Sequence, residues 1–552
     1  MKHILFFVMM LLALSFCKKE APVNPPGTLQ SLKITVNDSL VNSTVYYNAT
    51  NKPAIKIFFS EPIDTAGIYT RVLIKNANGT ALPVNYGLAN MDSVLVVQPS
   101  GNLQSISVYT VAISNGIKSI HNSLLQQNIS FNIVTAIDSS DKFARISDSV
   151  LLDLVQKQTL KYFWDFGHPV SGLARERNTS GDVVTTGGSG FGIMSLLVGV
   201  HHNFISRTDG LGRMTKIVSF LTNKAHRYHG AFPHWLNGAT GETVPFSPKD
   251  DGADLVETSY LMEGLLCARQ FFNSTVDNNE IQLRDSINNL WNGVEWSWFR
   301  QNNQNALYWH WSPDFDWAMN MQINGWNEAL ITYVLAASSN NYNIPLAVYQ
   351  NGWALNGNIK NNKQYFGITL PLGPDYGGPL FFSHYSFLGI NPNNLMDVYA
   401  NYWTQNTAHS KINYSYCVNN PKRFNGYSSQ CWGLTASDDN NGYDAHSPTN
   451  DDGVISPTAA LSSMAYTPTE SMNALRFFYY KLGDKIWGDY GFKDAFNLSN
   501  VWFADSYLAI DQGPIIVMIE NYRSGLLWNL FMSCPEVKKG MKDLGFQSPD
   551  LQ

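Results

Sequence analysis

The apolar period of this chain changes once, near residue 148, and the change limits what the chain can fold into. Before it, apolar and polar residues alternate in Ser31-Leu32-Lys33-Ile34-Thr35-Val36, Ala54-Ile55-Lys56-Ile57-Phe58-Phe59 and Ser93-Val94-Leu95-Val96-Val97. Such runs recur with Asn, Gly, Pro and Ser between them, which is the pattern of an all-β sandwich. From Asp148 the spacing becomes helical. Val150-Leu151-Leu152-Asp153-Leu154-Val155 leads into Leu160-Lys161-Tyr162-Phe163-Trp164, and further helices are expected near 190–206, 212–229, 253–272, 279–298, 321–337, 394–414, 468–482 and 514–532. No repeat marks a solenoid. The expectation is mainly α: a small β-sandwich domain at 29–138, then helical pairs closing into one α-toroid at 148–545.

Composition follows the same division. All 15 Trp lie between Trp164 and Trp528, and ten of the 12 His lie beyond residue 160. Charged residues are 14% of the chain, against roughly 25% in an average domain. An apolar content of 44% excludes a disordered chain. A net charge of −6 without a long basic run argues against nucleic acid as a partner. Walker loops, dinucleotide fingerprints and G-x-S-x-G elbows are absent, so nothing calls for a cofactor. The cysteine spacing matches no zinc pattern, and no metal is assigned.

The N-terminus reads as an address. Lys2 and His3 precede the apolar run Ile4–Phe16, which is too short to span a bilayer, where about 20 residues are needed. Residues 1–17 fit a signal peptide. Leu14-Ser15-Phe16-Cys17 resembles a bacterial lipoprotein lipobox, which makes Cys17 the lipid-bearing residue. The proline-containing stretch 18–28 is then a tether. The expected product is a monomeric lipoprotein on the periplasmic or outer-membrane surface of a Gram-negative bacterium. Cys267 falls in an apolar helical run, while Cys417 and Cys431 share a loop-rich region and either pair or remain buried thiols.

Few acids are available, so those in aromatic or glycine-rich surroundings stand out. Glu328 follows Asn324-Gly325-Trp326-Asn327 at the start of an apolar helix, where desolvation would raise its pKa and suit a general acid. A first-turn dipole role is the plainer reading. Asp250, Asp254 and Glu257 are spaced to share one helix face, where like charges repel unless they serve a ligand or a proton. Capping explains two of these acids equally well. Asp511, before Gln512-Gly513-Pro514, is either a cap or an acid of a site, and Asp505 is its weaker rival. Trp309 and Trp311 sit in a stretch without helical period, and Trp235 and Trp432 sit on loops. Such rings suit stacking on sugar faces, although most Trp belong to cores. His234, Trp326 and Asn327 join them as sugar-contact candidates. The oxygen-rich stretch 438–453 lacks EF-hand spacing, which leaves calcium a minor reading there.

These residues carry two resemblances. Ile55-Lys56-Ile57-Phe58-Phe59-Ser60-Glu61-Pro62-Ile63-Asp64 resembles the bacterial Ig-like domain. Thr185-Thr186-Gly187-Gly188-Ser189-Gly190-Phe191-Gly192, Gly230-Ala231-Phe232-Pro233-His234-Trp235, Asp250-Asp251-Gly252-Ala253-Asp254-Leu255-Val256-Glu257-Thr258 and Asn324-Gly325-Trp326-Asn327-Glu328 together resemble the bacterial glucoamylase-like domain. More closely, they are similar to glycoside hydrolase family 144, the β-1,2-glucanases. That resemblance implies an (α/α)6 barrel and hydrolysis of β-1,2-glucan or its oligosaccharides, with anomeric inversion. By motif position, Glu328 carries over as the acid and Asp250 and Asp254 as essential cleft acids. Asp511 is a positional assignment to the base side. An Ig-like module able to close one cleft end tips the expectation toward exo release of the disaccharide sophorose, with endo action as the alternative. A non-catalytic surface glycan-binding lipoprotein is the reading from another class.

Overall fold

The computed structural model describes residues 27–552. Cys17, the expected signal segment and residues 18–26 of the tether lie outside the described residues. The described chain divides into two compact units, 27–137 and 138–552.

The first unit is a two-sheet sandwich. One sheet orders its strands Ser39–Leu40, Ser31–Val36, Ile55–Phe59, Val94–Pro99 and Val84–Ala89. The other orders Val45–Ala49, Ile129–Thr135, Val108–Ile113 and Val72–Lys75. Its Val45–Ala49 edge pairs in parallel, and its other pairings are antiparallel. Strand alternation places Ile55, Ile57 and Phe59 inside and Lys56 and Phe58 toward the rim. They meet Val36, Val72, Ile74, Val97, Val111 and Ile133 in one core.

The second unit alternates outer amphipathic helices with inner buried segments, six times. The pairs are α1 (Asp148–Trp164) with α2 (Thr186–His201), α3 (Arg207–Asn223) with α4 (Leu255–Phe271), and α5 (Asn278–Asn292) with α6 (Leu330–Ser338). Short helical turns at 346–353 and 380–387 make the fourth pair. The fifth and sixth are α7 (Tyr402–Asn419) with α8 (Pro457–Ser462), and α9 (Pro468–Ile486) with α10 (Ala509–Arg523). Every residue of α6 and α8 is buried, as is α2 from Thr186 to Val200. The outer helices bury one face only. This is an (α/α)6 barrel. Two inner helices touch backbone to backbone: a Cβ on Gly190 would lie 2.1 Å from the Tyr260 carbonyl oxygen. Among the described residues, no helix is long and apolar enough to cross a membrane.

Several expected helix bounds move for local reasons. The run 321–337 begins as a strand, Gln322–Ile323, paired with Leu307–Tyr308, and turns at Gly325 with φ 72°. Its helix therefore starts only at Leu330. The run 514–532 begins earlier, at Ala509, and breaks at Gly525, whose φ is 70°, into α10 and Leu526–Met532. The run 394–414 starts late, at Tyr402, capped by the Asn401 side chain 2.9 Å from the Thr404 amide. Cys417 and Cys431 are both buried free thiols, so the pairing alternative is not realised.

Candidate active site

The acids near residue 250 are assembled by a cap and a strand pair, not by a helix face. Helix α4 starts at Leu255, with Asp254 extended before it as N-cap. Asp254 Oδ1 accepts from the amides of Val256 (3.0 Å) and Glu257 (2.9 Å). Asp250 lies one turn earlier in a loop, so the expected shared helix face of Asp250, Asp254 and Glu257 is corrected. What reunites the acids is the bridge Ala253–Asp254 to His310–Trp311. His310 Nδ1 stands 3.4 Å from Asp250 Oδ1 and 3.8 Å from Asp254 Oδ2. His234 Nδ1 sits 2.9 Å from the same Asp254 oxygen.

Charge follows from this packing. Burial alone would deprotonate His234, but Glu257, Asp254 and Asp250 outweigh it and raise its pKa to about 9. Burial likewise opposes ionisation of Asp254, yet the His234 bond and the His310 charge hold its pKa below the usual value. Each ion is the other's compensation, and Asp254 reaches the cleft only through His234.

Glu257 is raised by burial and by the Asp254 charge. Its Oε2 accepts from the Gly187 amide at 2.7 Å and lies 3.3 Å from Thr185 Oγ1. A Cβ on Gly187 would lie 2.7 Å from that oxygen, which explains a glycine at this point of the Thr-Thr-Gly-Gly run.

Glu328 occupies the turn before α6, one residue ahead of the Ala329 cap, not the first helical turn. Its backbone carbonyl accepts from Tyr260 Oη at 3.4 Å and from Ser386 Oγ. Asn327 Oδ1 takes the Ala329 amide at 2.9 Å. Burial raises the Glu328 carboxyl to about 7, and the charges of Asp254 and Glu257 add to the effect. A group so placed is half protonated near neutrality.

A second acid cluster lies behind another part of the wall. Asp511 is in the first turn of α10, with both oxygens buried and, apart from the Asp494 carboxyl, no donor among the described residues reaching either. Asp494 faces it, and its Oδ2 accepts the Asp438 amide at 2.7 Å. Burial and the Asp438 charge raise Asp494 to about 7, and burial with the Asp494 charge raises Asp511 well above the carboxylate range. Two facing buried carboxyls cannot both ionise cheaply, so the pair holds one proton. Arg177 closes the cluster, with Nη1 3.2 Å from both Asp438 oxygens and Nε 3.0 Å from Glu176 Oε2.

Between these clusters lies a cavity of about 500 Å³, within the range of small-molecule sites. Glu328, Glu257 and His234 face it directly, with Trp235, Trp309, Phe246, Tyr260, Phe381, Tyr385 and Tyr443 as its aromatic wall. Asp250, Asp254 and Asp511 stand behind this lining.

The other aromatic candidates lie elsewhere. Trp432 is fully buried, its indole N–H 3.3 Å from the Glu470 carbonyl, so its assignment as a sugar platform is corrected: the loop it sits on is covered. Trp326 is 4% exposed and packs on Trp353, Phe387 and Tyr402, which makes it core as well. Trp311 packs against Trp298, His229 and Tyr228 and does not line the cavity. Asp505 is 94% exposed in an ion pair with Lys493, so it has no desolvated carboxyl.

Residues 320–535 match the family model described as "Putative glucoamylase", and residues 35–133 match a bacterial Ig-like domain. A solved structure from Bacteroides uniformis, described as a putative glucoamylase, is 56% identical with a TM-score of 0.73, covering 74% of this chain and 100% of its own. The endo-β-1,2-glucanase of Chitinophaga pinensis, solved with sophorotriose and glucose, is 53% identical with a TM-score of 0.72, over 74% of this chain and 100% of its own. The chain belongs to glycoside hydrolase family 144. A curated relative from Parabacteroides distasonis, an exo β-1,2-glucooligosaccharide sophorohydrolase acting at the non-reducing end, is 47% identical over 422 residues, 72% of this chain. The chain spans 58% of that relative's length.

Within this family-144 chain, sequence reading missed Glu176, Arg177, Tyr260, Tyr385, Asp438 and Asp494 as site residues. Tyr260 lies two residues beyond the acidic motif Asp250–Thr258, and its neighbours in sequence give no sign that it turns toward Glu328. Asp438 was read with a calcium-like stretch. In the fold that stretch is a hairpin, Ala436–Asp438 with Tyr443–Ala445, pinned by Arg177 and Ser506.

Proposed function

We propose that the protein hydrolyses β-1,2-glucosidic bonds in β-1,2-glucan or its oligosaccharides, with inversion, and releases sophorose in exo fashion. The observation that carries this reading is Glu328: a carboxyl raised to about 7 that opens onto an aromatic-walled cavity. Protonated, it can deliver a proton to the glycosidic oxygen as the bond breaks. The rings supply faces for the apolar sides of glucosyl units. The His234 imidazolium, held by Asp254, donates toward hydroxyls. The Asp511–Asp494 pair takes the base side, accepting the proton of the attacking water. Because Asp511 stands behind the lining, that proton travels through an intervening hydroxyl or water, the longer relay an inverting enzyme can use. The exo mode is supported by the Parabacteroides distasonis relative.

The test is product analysis on linear β-1,2-glucan and sophorotriose, with proton NMR following the first anomer formed. Sophorose released first as the α-anomer is the expected result. Saturable binding without any product would leave only a glycan-binding protein, and a first-formed β-anomer would overturn inversion.

We propose further that the protein is lipid-anchored through Cys17 at the periplasmic or outer-membrane surface, on the strength of the lipobox resemblance. Substituting Cys17→Ala should release it from the membrane fraction, and unchanged membrane retention would remove the anchor.

A further inference from the structure

A second cavity, of about 430 Å³, shares a wall with the first. The wall is Arg177 together with the hairpin 436–445. Ala436, Tyr443 and Ala445 face the first cavity, Asp438, Asp439 and Gly442 face the second, and Arg177 lines both. The hairpin is fixed in place by the Arg177–Asp438 ion pair, by Ser506 Oγ on Asp438, and by the Asp438 amide on Asp494.

The lining of the second cavity is polar on most sides, from Asn178, Thr179, Asp439 and Ser506, with Trp502 as its large ring. Trp502 is half-buried and, among the described residues, it stacks on no other aromatic ring and its indole N–H has no hydrogen-bond partner. An unstacked indole beside hydroxyl, amide and carboxylate groups is the chemistry that takes up a neutral sugar ring. It offers one apolar face for stacking and a rim of acceptors and donors for hydroxyls. No group of the proposed mechanism needs this cavity.

Resting on the proposed function, we propose that this cavity is a second glucan-binding site, with Trp502 as its stacking platform. It holds glucosyl units of the same chain whose end lies in the first cavity. An exo enzyme that keeps two units must let the rest of a long chain leave the cleft. The path over Arg177 leads to a neighbouring cavity that shares this lining residue with it. The site therefore acts on long chains and not on short ones.

The experiment compares kcat/KM on linear β-1,2-glucan with kcat/KM on sophorotriose, in wild type and in three variants. Trp502→Ala should lower the glucan-to-trisaccharide ratio about fivefold to tenfold, the scale of one lost stacking contact. Trp502→Phe should restore most of it. Thr179→Arg, at an exposed lining position, should lower the same ratio by filling the cavity, and it tests the idea even if the alanine variant fails to fold. An unchanged ratio in Trp502→Ala and Thr179→Arg would overturn this proposal while leaving the hydrolase reading intact. Absence of cleavage of both substrates by the wild type would instead overturn the hydrolase reading itself.

Discussion

Substituting Glu328→Gln should do two opposite things, and both follow from one desolvated carboxyl. The shift from 4.5 to about 7 amounts to about 3 kcal/mol at 1.36 kcal/mol per unit. That is an upper figure, because the side chain opens onto the cavity. The sign is fixed by proton counting. The folded state binds the Glu328 proton more tightly than the unfolded state, so the stability this proton carries is present below pH 4.5 and is lost as pH rises through 7. Glutamine mimics the protonated acid at every pH. The variant should therefore match wild type near pH 4 and exceed it by up to about 3 kcal/mol at pH 8. The helical unit runs from Asp138 to Gln552. With about 2.1 cal/mol/K of unfolding entropy per residue, that gain is a rise in melting temperature of about 3 °C.

The assay is thermal unfolding followed by tryptophan fluorescence at pH 5, 6, 7 and 8. All Trp lie between Trp164 and Trp528, so the signal reports the helical unit alone. Activity should fall in the same variant by roughly 10²–10⁴, the usual worth of a general acid. Wild-type activity should decline as pH passes 7, where the acid loses its proton. A stability difference that stays flat from pH 5 to 8 would refute the desolvated-acid reasoning, whatever the activity does.

Three further outcomes follow from the same geometry. Asp254→Asn keeps a capping oxygen but removes one of the charges, beside those of Glu257 and Asp250, that hold His234 protonated. The His234 pKa should drop from about 9 in an NMR titration, with a loss of kcat, and Asp254→Ala should cost about a further 1 kcal/mol of stability through the lost cap. Asp494→Asn removes one member of the facing pair. Because the raised Asp494 pKa costs stability as pH climbs toward about 7, the variant should gain stability above that pH and not below pH 4, measured by denaturant unfolding. With Cys417 and Cys431 free, adding a reductant should leave the melting temperature unchanged, and a fall would reveal a disulfide.

The barrel was legible because its signal is local. A helix declares itself within fifteen residues, and the change of period at residue 148 lies about ten residues after the unit boundary at 137–138. The site was legible only in part, because what makes a site residue is a partner far away in sequence. Asp250 and Asp254 announce themselves as a cluster, but their spacing suggests a helix face that does not exist. Their true connection is His310, delivered by a two-residue strand pair. Trp235 and Trp432 look alike in sequence, each in a glycine-containing stretch without helical period. One faces the cavity and the other is sealed under the Glu470 backbone, and nothing in their flanking residues foretells which.

The scarcity of charge in this chain explains why its few acids behave as they do. With little ionic surroundings to share, each buried carboxyl is set by one or two specific partners. Asp254 has a histidine bonded to it and stays ionised. Glu328 has no cationic partner and rises to about 7. Asp511 is buried with another acid facing it, and its pKa rises well above the carboxylate range. Three carboxyls of nearly the same intrinsic strength are thus separated into an anchored anion, a poised acid and a proton-sharing pair by partner identity alone. That separation is what acid–base chemistry on a neutral glucan requires. It also means that a substitution at a partner such as His234, His310 or Asp494 should change the pH dependence of catalysis as surely as a substitution at the carboxyl it serves.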